Sequence, residues 1–550
     1  MPQNNNEVII DALDRDESGR PVARPRLTPN QDQRDKVCLM PPEAVIPVVF
    51  LPGIMGSNLK AKDGGRAVWR PPNMDGVGAI LSALGQLFSY WFKGPATRQR
   101  ELNPPGVEVD PRGSIETEGT LEREVARDRG WGTVMRSAYN PVMSVMEERL
   151  NNLMVLGEMM EWWNDEGRRV PSDYGDQKSN PPLTEDDLKH AAQYRYEVWG
   201  GGYNWLQSNV DSANDIKDYI ENKVLASYPE DQRGRMKVIL VTHSMGGFVA
   251  RALTEIVGYE KVLGVVHGVM PATGAPAIYH HMRCGYEGVA SVILGRDAAE
   301  VVAVAAYSPG ALQLTPAFDY AGGKPWLKLG DGGASEPGRS LPTSGNPYDE
   351  IYKSRAWYGL IPEHNAKLIN PAQLTGPAQE SKDIYGGMSS LEAFDLTIDS
   401  VRSFHAELAK KYPKPAYCHY GADSGQKTWS EVRWQGTLTA LPEQWQVEDD
   451  DGNGRLRLTN AGQHVELEFG PPEGMGDGTV STESGSAPGE AGVQASFRQG
   501  NQADGAYARM NGKGKEQGYE HQDSYNDPRA QWATLYGIVR IARQADWSSC

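Results

Sequence analysis

Cysteine is scarce in this chain: its 550 residues include four, Cys38, Cys284, Cys418 and Cys550, with none of the CxxC spacings that a zinc ribbon or thioredoxin-type site requires. A reducing cytosol is the expected place of synthesis. Cations are in deficit too, with 55 Lys and Arg against 72 Asp and Glu and a formal charge of −17. Nucleic acid is excluded as a partner, because neutralising phosphates needs clustered positive charge, and an anionic membrane would repel the chain as a whole. Long apolar runs are missing. The longest weakly charged stretch, GVGAILSALGQLFSYWF from Gly76 to Phe92, is broken by Gly, Ser and Gln and is too short to span a bilayer. It reads as a buried helix, with a lipid-facing lid helix as the alternative. The N-terminus, MPQNNNEVIIDALDRDESGR, has no basic n-region, apolar h-region or small-residue cleavage site, so no Sec signal is expected.

Apolar residues make up 39% of the chain, and 61 Gly and 37 Pro imply many loops around a globular core. The length exceeds what one core usually supports, so several domains or one decorated core are expected. Residues 1–40 are polar and aperiodic and read as an extended or disordered arm. Apolar runs follow at VIPVVFL (Val45 to Leu51), YRYEVWGGGYNW (Tyr194 to Trp205), MKVILVTH (Met236 to His243) and KVLGVVHGVM (Lys261 to Met270). Helical spacing separates the last three: Ile216, Ile220, Val224 and Leu225 recur behind Ser212 as a cap, and FVARALTEIVG forms a second helix. Alternating strands and helices define an α/β class with a mostly parallel central sheet and helices on both faces. That core spans 41–274, a Gly/Pro-rich cap or insertion spans 275–410, and 411–550 returns to the sheet at PAYCHYGADS. A β-meander of WQVE, RLRLTN and HVELEF interrupts the last part at about 430–470.

The chemistry is concentrated in Thr242-His243-Ser244-Met245-Gly246, which lies between an apolar strand and a helix. A serine on such a turn has its Oγ lifted above the sheet, and the next backbone N–H faces the same space. Thr242 stands where a first glycine is usual. His243 reads as structural, because adjacent positions on the turn point apart. A serine nucleophile needs a base and an orienting carboxylate, in the chain order Ser, acid, His. Among the later histidines, His267 and His464 sit in strands and His405 in a helix, whereas His521 occupies a polar loop, EQGYEHQDSYNDP, just before the final helix. For the acid, Asp477 in GMGDGTVSTES and Asp423 after CHYGA are equally good on residue logic. PGIMGSN, after the first strand, supplies an oxyanion loop, with the Ile54 N–H as donor beside that of Met245.

PVVFLPGIMGSNLKAK, GGGYNWLQSN, VTHSMGG, AYSPGALQLTP, AYCHYG, GDGTVSTES and the late histidine together resemble the lecithin:cholesterol acyltransferase-like lipase branch of the α/β-hydrolases. The resemblance implies Ser244, Asp477 and His521 as catalytic residues, with Ile54 and Met245 forming the oxyanion hole. Lacking a signal peptide and a recognisable disulfide pair, the chain is expected to hydrolyse esters rather than acylate a sterol. It is also similar to bacterial lipase effectors of type VI secretion. That likeness implies a phospholipase acting on glycerophospholipids of a rival cell, made in the cytoplasm and delivered to the target's periplasm or envelope. A cognate immunity protein and a secretion-apparatus component would be partners. The alternatives are a soluble carboxylesterase, a neutral-lipid lipase or acyltransferase of the same fold, and a non-catalytic binding module. No cofactor is required. DDDGNGRL places Asp449, Asp451 and Asn453 at the spacing of half a calcium loop, but Asn460 stands where the bidentate Glu belongs, and a hairpin turn is the plainer reading.

Overall fold

A computed structural model describes residues 42–70, 93–286, 295–331, 338–374, 388–500 and 519–548, together with the backbone of short strands between 9 and 39. The segment from Gly76 to Phe92, expected to form a buried or lid helix, lies outside the described residues, as does most of the 1–40 arm. Within the arm, Ile9–Ala12 pairs in parallel with Lys36–Leu39.

Six strands form the central sheet: β1 (Val45–Leu51), β2 (Arg195–Gly200), β3 (Val238–His243), β4 (Val262–Gly268), β5 (Ala416–Gly421) and β6 (Ala495–Gln499). They lie in the order β2-β1-β3-β4-β5-β6, and every neighbouring pair is parallel. Both β1 and β3 are buried at every position. A strand covered by helices on both faces needs that continuous apolar run, because neither side meets water.

The covering helices include α1 (Arg136–Asn151), α2 (Asn209–Tyr219), α3 (Gly246–Arg251), α4 (Ser390–Leu408) and α5 (Pro528–Ala542). Alternation along β4 separates the two faces: Gly264 and Val266 face Ile541 and Gly537 of α5, while His267 points to Tyr412, over which Arg251 of α3 stacks. The cap of α2 is Ser208, whose side chain accepts from the Asp211 N–H. Ser212, the expected cap, is buried one turn inside the helix, because the chain turns helical as soon as Ser208 and Asp211 can pair. FVARALTEIVG begins as α3 and widens into a π-turn at Ala252–Ile256.

The meander strands Gln446–Asp450, Arg455–Asn460 and Gln463–Phe469 are antiparallel neighbours. They belong to a second six-stranded sheet, completed by Val432–Gln435 and by Leu327–Leu329 and Arg339–Leu341 from the cap segment. Tyr279, Trp326, Trp434 and Leu456 sit in the core beneath it, so cap and meander share one apolar interior. In the DDDGNG turn, Asp451 Oδ1 accepts from the N–H groups of Asn453 and Arg455, and Asp449 is paired in a strand with Arg457. Among the described residues, no group of three or more His, Cys, Asp or Glu side chains is placed to hold a metal ion. Among them also, no helix is long and apolar enough to cross a membrane.

Candidate active site

The sheet order reverses between the neighbours β1 and β3: the connection leaving β1 runs to β2 on one side and the connection leaving β3 runs to β4 on the other, so the loops leaving their carboxyl ends border one crevice. PGIMGSN leaves β1 there and Ser244 leaves β3. Ser244 sits at φ +52°, in the left-handed region that a serine occupies only when its surroundings impose it. Its N–H donates to the Gly268 carbonyl at 2.9 Å, tying the turn to β4. Gly246 is needed for the close approach of the two loops: a methyl group there would come within 2.5 Å of the Leu51 carbonyl oxygen and 2.6 Å of that of Pro52. Gly246→Ala is therefore expected to destabilise the fold by about 1–3 kcal/mol through overpacking against backbone. Thermal unfolding checks this, and an unchanged transition would contradict the assigned packing. Thr242 needs no such room. Buried in β3, its Oγ1 lies 3.1 Å from Nδ1 of His267, its register partner on β4.

His521 reaches this turn from the loop before α5. Its Nε2 lies 2.9 Å from Ser244 Oγ and its Nδ1 lies 2.8 Å from Asp477 Oδ2. A carboxylate accepts, so Nδ1 carries the proton and Nε2 is left to accept from the serine hydroxyl. Asp477 is itself held: its Oδ1 accepts from the N–H groups of Thr479 and Val480, and its carbonyl oxygen accepts from the His521 N–H at 2.8 Å. All three side chains are buried. Asp423 lies elsewhere in the network. Its Oδ2 accepts from the Tyr519 N–H at 2.8 Å and its Oδ1 from the Gly425 N–H at 2.7 Å, so it anchors the start of the His521 loop and does not touch the imidazole.

In PGIMG, the Gly56 N–H donates to the Gly53 carbonyl, and Met55 adopts φ +62°. Among the described residues, neither the Ile54 nor the Met245 N–H has a backbone acceptor. Ile54 and Met55 also line a narrow cleft of about 60 Å³ whose other walls include Trp69, Trp205, Val304 and Ala305. A wider groove, bordered by Arg251, Asp319, Tyr412 and Glu483, includes none of the three buried residues above. Sequence reasoning missed the two amides that hold Asp477; the Gly-Thr-Val that follows the acid was their only trace.

A parallel sheet with a serine on a left-handed turn at the end of a central strand and a histidine bridging it to a carboxylate defines an α/β hydrolase. The PGAP1-like alpha/beta domain family matches residues 206–287, which run from before α2 to just past β4 and its following helix. A chain in the crystal structure of the Tle4–Tli4 complex is 45% identical, covering 92% of this chain and 100% of its own length, with a TM-score of 0.80. No curated protein matches the chain. The chain belongs to the Tle4 family of α/β-hydrolase lipase effectors, as its resemblance to the type VI lipases implied.

Proposed function

We propose that the protein is a serine phospholipase that cleaves carboxylic esters of glycerophospholipids. The observation that carries this reading is the Ser244–His521–Asp477 chain set beside an apolar cleft that begins at the oxyanion turn. As Ser244 Oγ attacks the ester carbonyl, His521 Nε2 takes its proton, and Asp477 stabilises the imidazolium so formed. The oxyanion of the tetrahedral intermediate takes hydrogen bonds from the Ile54 and Met245 N–H groups. His521 returns the proton to the leaving glycerol oxygen and an acyl-enzyme remains. Water, deprotonated by the same imidazole, then releases the fatty acid. The Trp69, Trp205, Val304 and Ala305 walls suit an acyl chain, since each methylene moved from water to an apolar wall contributes about 0.8 kcal/mol.

The Tle4–Tli4 neighbour was solved as a complex, which supports a cognate immunity partner for this chain as well. Delivery by a type VI apparatus into a target cell's envelope completes the reading. The test is mass spectrometry of products after incubation with phospholipid vesicles, triacylglycerol emulsion and a soluble short-chain ester in parallel. Free fatty acid with stoichiometric lysophospholipid is the expected result. Turnover of the soluble ester or triacylglycerol alone would replace the phospholipase reading with an esterase or neutral-lipid lipase.

A further inference from the structure

The histidine beside the nucleophile takes no part in the reaction above, yet it is buried and touches both halves of the site. His243 Nε2 lies 2.9 Å from the backbone carbonyl oxygen of His521, and its Nδ1 lies 3.2 Å from Tyr139 Oη. These two contacts fix every proton between them. A carbonyl oxygen only accepts, so Nε2 carries the hydrogen. Nδ1 of the neutral ring must then accept, and the Tyr139 hydroxyl donates to it. That leaves the Tyr139 oxygen to accept in turn, which it does from the Gly53 N–H at 3.2 Å. Burial, and after it the neighbouring His521, hold the His243 pKa well below the usual imidazole value, so the neutral ring that this pattern requires is the stable one.

We infer that Tyr139 and His243 are positioning residues, linking the oxyanion turn to the His521 loop through a directed hydrogen-bond chain: Gly53 N–H to Tyr139, Tyr139 O–H to His243, His243 N–H to the His521 carbonyl. The inference rests on the reading of Ser244 as nucleophile. Gly53 immediately precedes Ile54, whose N–H is the oxyanion donor, so fixing Gly53 fixes where the turn begins. At the other end the chain holds the backbone of the catalytic base, whose N–H is fixed independently by Asp477. The glycines of PGIMG have a second purpose on this account. A methyl group on Gly53 would come within 2.7 Å of His243 Nδ1, and one on Gly56 within 2.7 Å of Tyr139 Oη. Both glycines leave room for the two side chains of the link. Tyr139 comes from α1 and packs on Phe50 of β1, with ring centroids 5.0 Å apart, so a rigid strand and helix set its position.

The test uses the full chain, a soluble short-chain ester, and active sites counted by fluorophosphonate titration, so that kcat is expressed per competent site. Tyr139→Phe removes one oxygen and breaks the link in the middle. His243→Gln keeps a donor where Nε2 was and removes the acceptor facing Tyr139. Each variant is expected to lower per-site kcat by about 10- to 100-fold, with KM within about twofold, because a displaced oxyanion donor affects the transition state rather than substrate binding. Since both break the same link, the double variant is expected to be no slower than the slower single one. A role confined to folding would reduce the number of titratable sites and leave per-site kcat unchanged. Per-site kcat of Tyr139→Phe within about threefold of wild type overturns the inference whether or not His243→Gln folds, and so does a multiplicative fall in the double variant. Failure of the nucleophile reading looks different: Ser244→Ala would then keep wild-type turnover, whereas failure of the link leaves Ser244→Ala inactive and Tyr139→Phe normal.

Discussion

Ser244→Ala and His521→Ala are each expected to reduce ester turnover by on the order of 10⁴- to 10⁶-fold, and Asp477→Asn by about 10⁴-fold. Asp423→Asn is expected to cost about tenfold or less. The contrast between the two aspartates follows from what each carboxylate touches. Asp477 Oδ2 accepts from His521 Nδ1 and so selects the tautomer whose Nε2 faces Ser244. An asparagine there presents an NH₂ to Nδ1 and favours the opposite tautomer, which cannot take the serine proton. Among the described residues, the Asp423 carboxylate accepts from backbone amides, those of Tyr519 and Gly425. An asparagine keeps one carbonyl acceptor for them, and the His521 loop stays close to its place. Steady-state kinetics on a soluble ester distinguishes the pair. An inactive Asp423→Asn beside an active Asp477→Asn would move the acid.

Acid is expected to unfold the protein at a pH where its carboxylates are still ionised. His243, His267, His280, His405 and His419 are all buried, and burial is the first cause that lowers each of their pKa values. His267, His280 and His419 are pushed down to about 3 and His405 to about 4. The folded state therefore stays unprotonated at these sites below pH 6.5, while the unfolded chain binds protons. Stability present above about pH 6.5 is lost as pH falls, at up to about 1.4 kcal/mol per pH unit for each imidazole. Five such groups would exhaust a typical stability of about 5–15 kcal/mol near pH 5. Asp450, held at about 2 by His364 and Arg283 against the opposing effect of burial, contributes stability that is lost only below about pH 4. Melting temperatures from pH 8 to pH 4 check this: a steep fall between pH 6.5 and pH 5 is expected, and a flat profile down to pH 4.5 would contradict it.

The parts of the fold legible in the sequence were those where one local rule dominates. VIPVVFL forms a strand over the span its continuous apolar run marks out, because a strand covered on both faces has no polar positions to blur its ends. The α2 cap was misplaced by one turn because Ser208 and Ser212 are both good caps and only Ser208 has Asp211 three residues on to answer it. The pairing of Leu327–Leu329 with Val432–Gln435 had no local signature, since it joins two short runs about a hundred residues apart. The site shows the same division. The turn around Ser244 and the loop position of His521 could be read from spacing. The choice between Asp477 and Asp423 could not be made from residue logic, because both follow a strand with glycine nearby, and only the fold brings one of them to the imidazole. Tyr139 had no signal at all: it lies 104 residues before His243, on a helix with no motif of its own.

The central claim is that Ser244 is an activated nucleophile. It is tested most directly by reacting the folded full-length protein with a fluorophosphonate and locating the adduct by mass spectrometry. The predicted result is one adduct per chain on Ser244, absent from folded Ser244→Ala. Folded wild-type protein that forms no adduct, or forms it on another serine, would contradict the account.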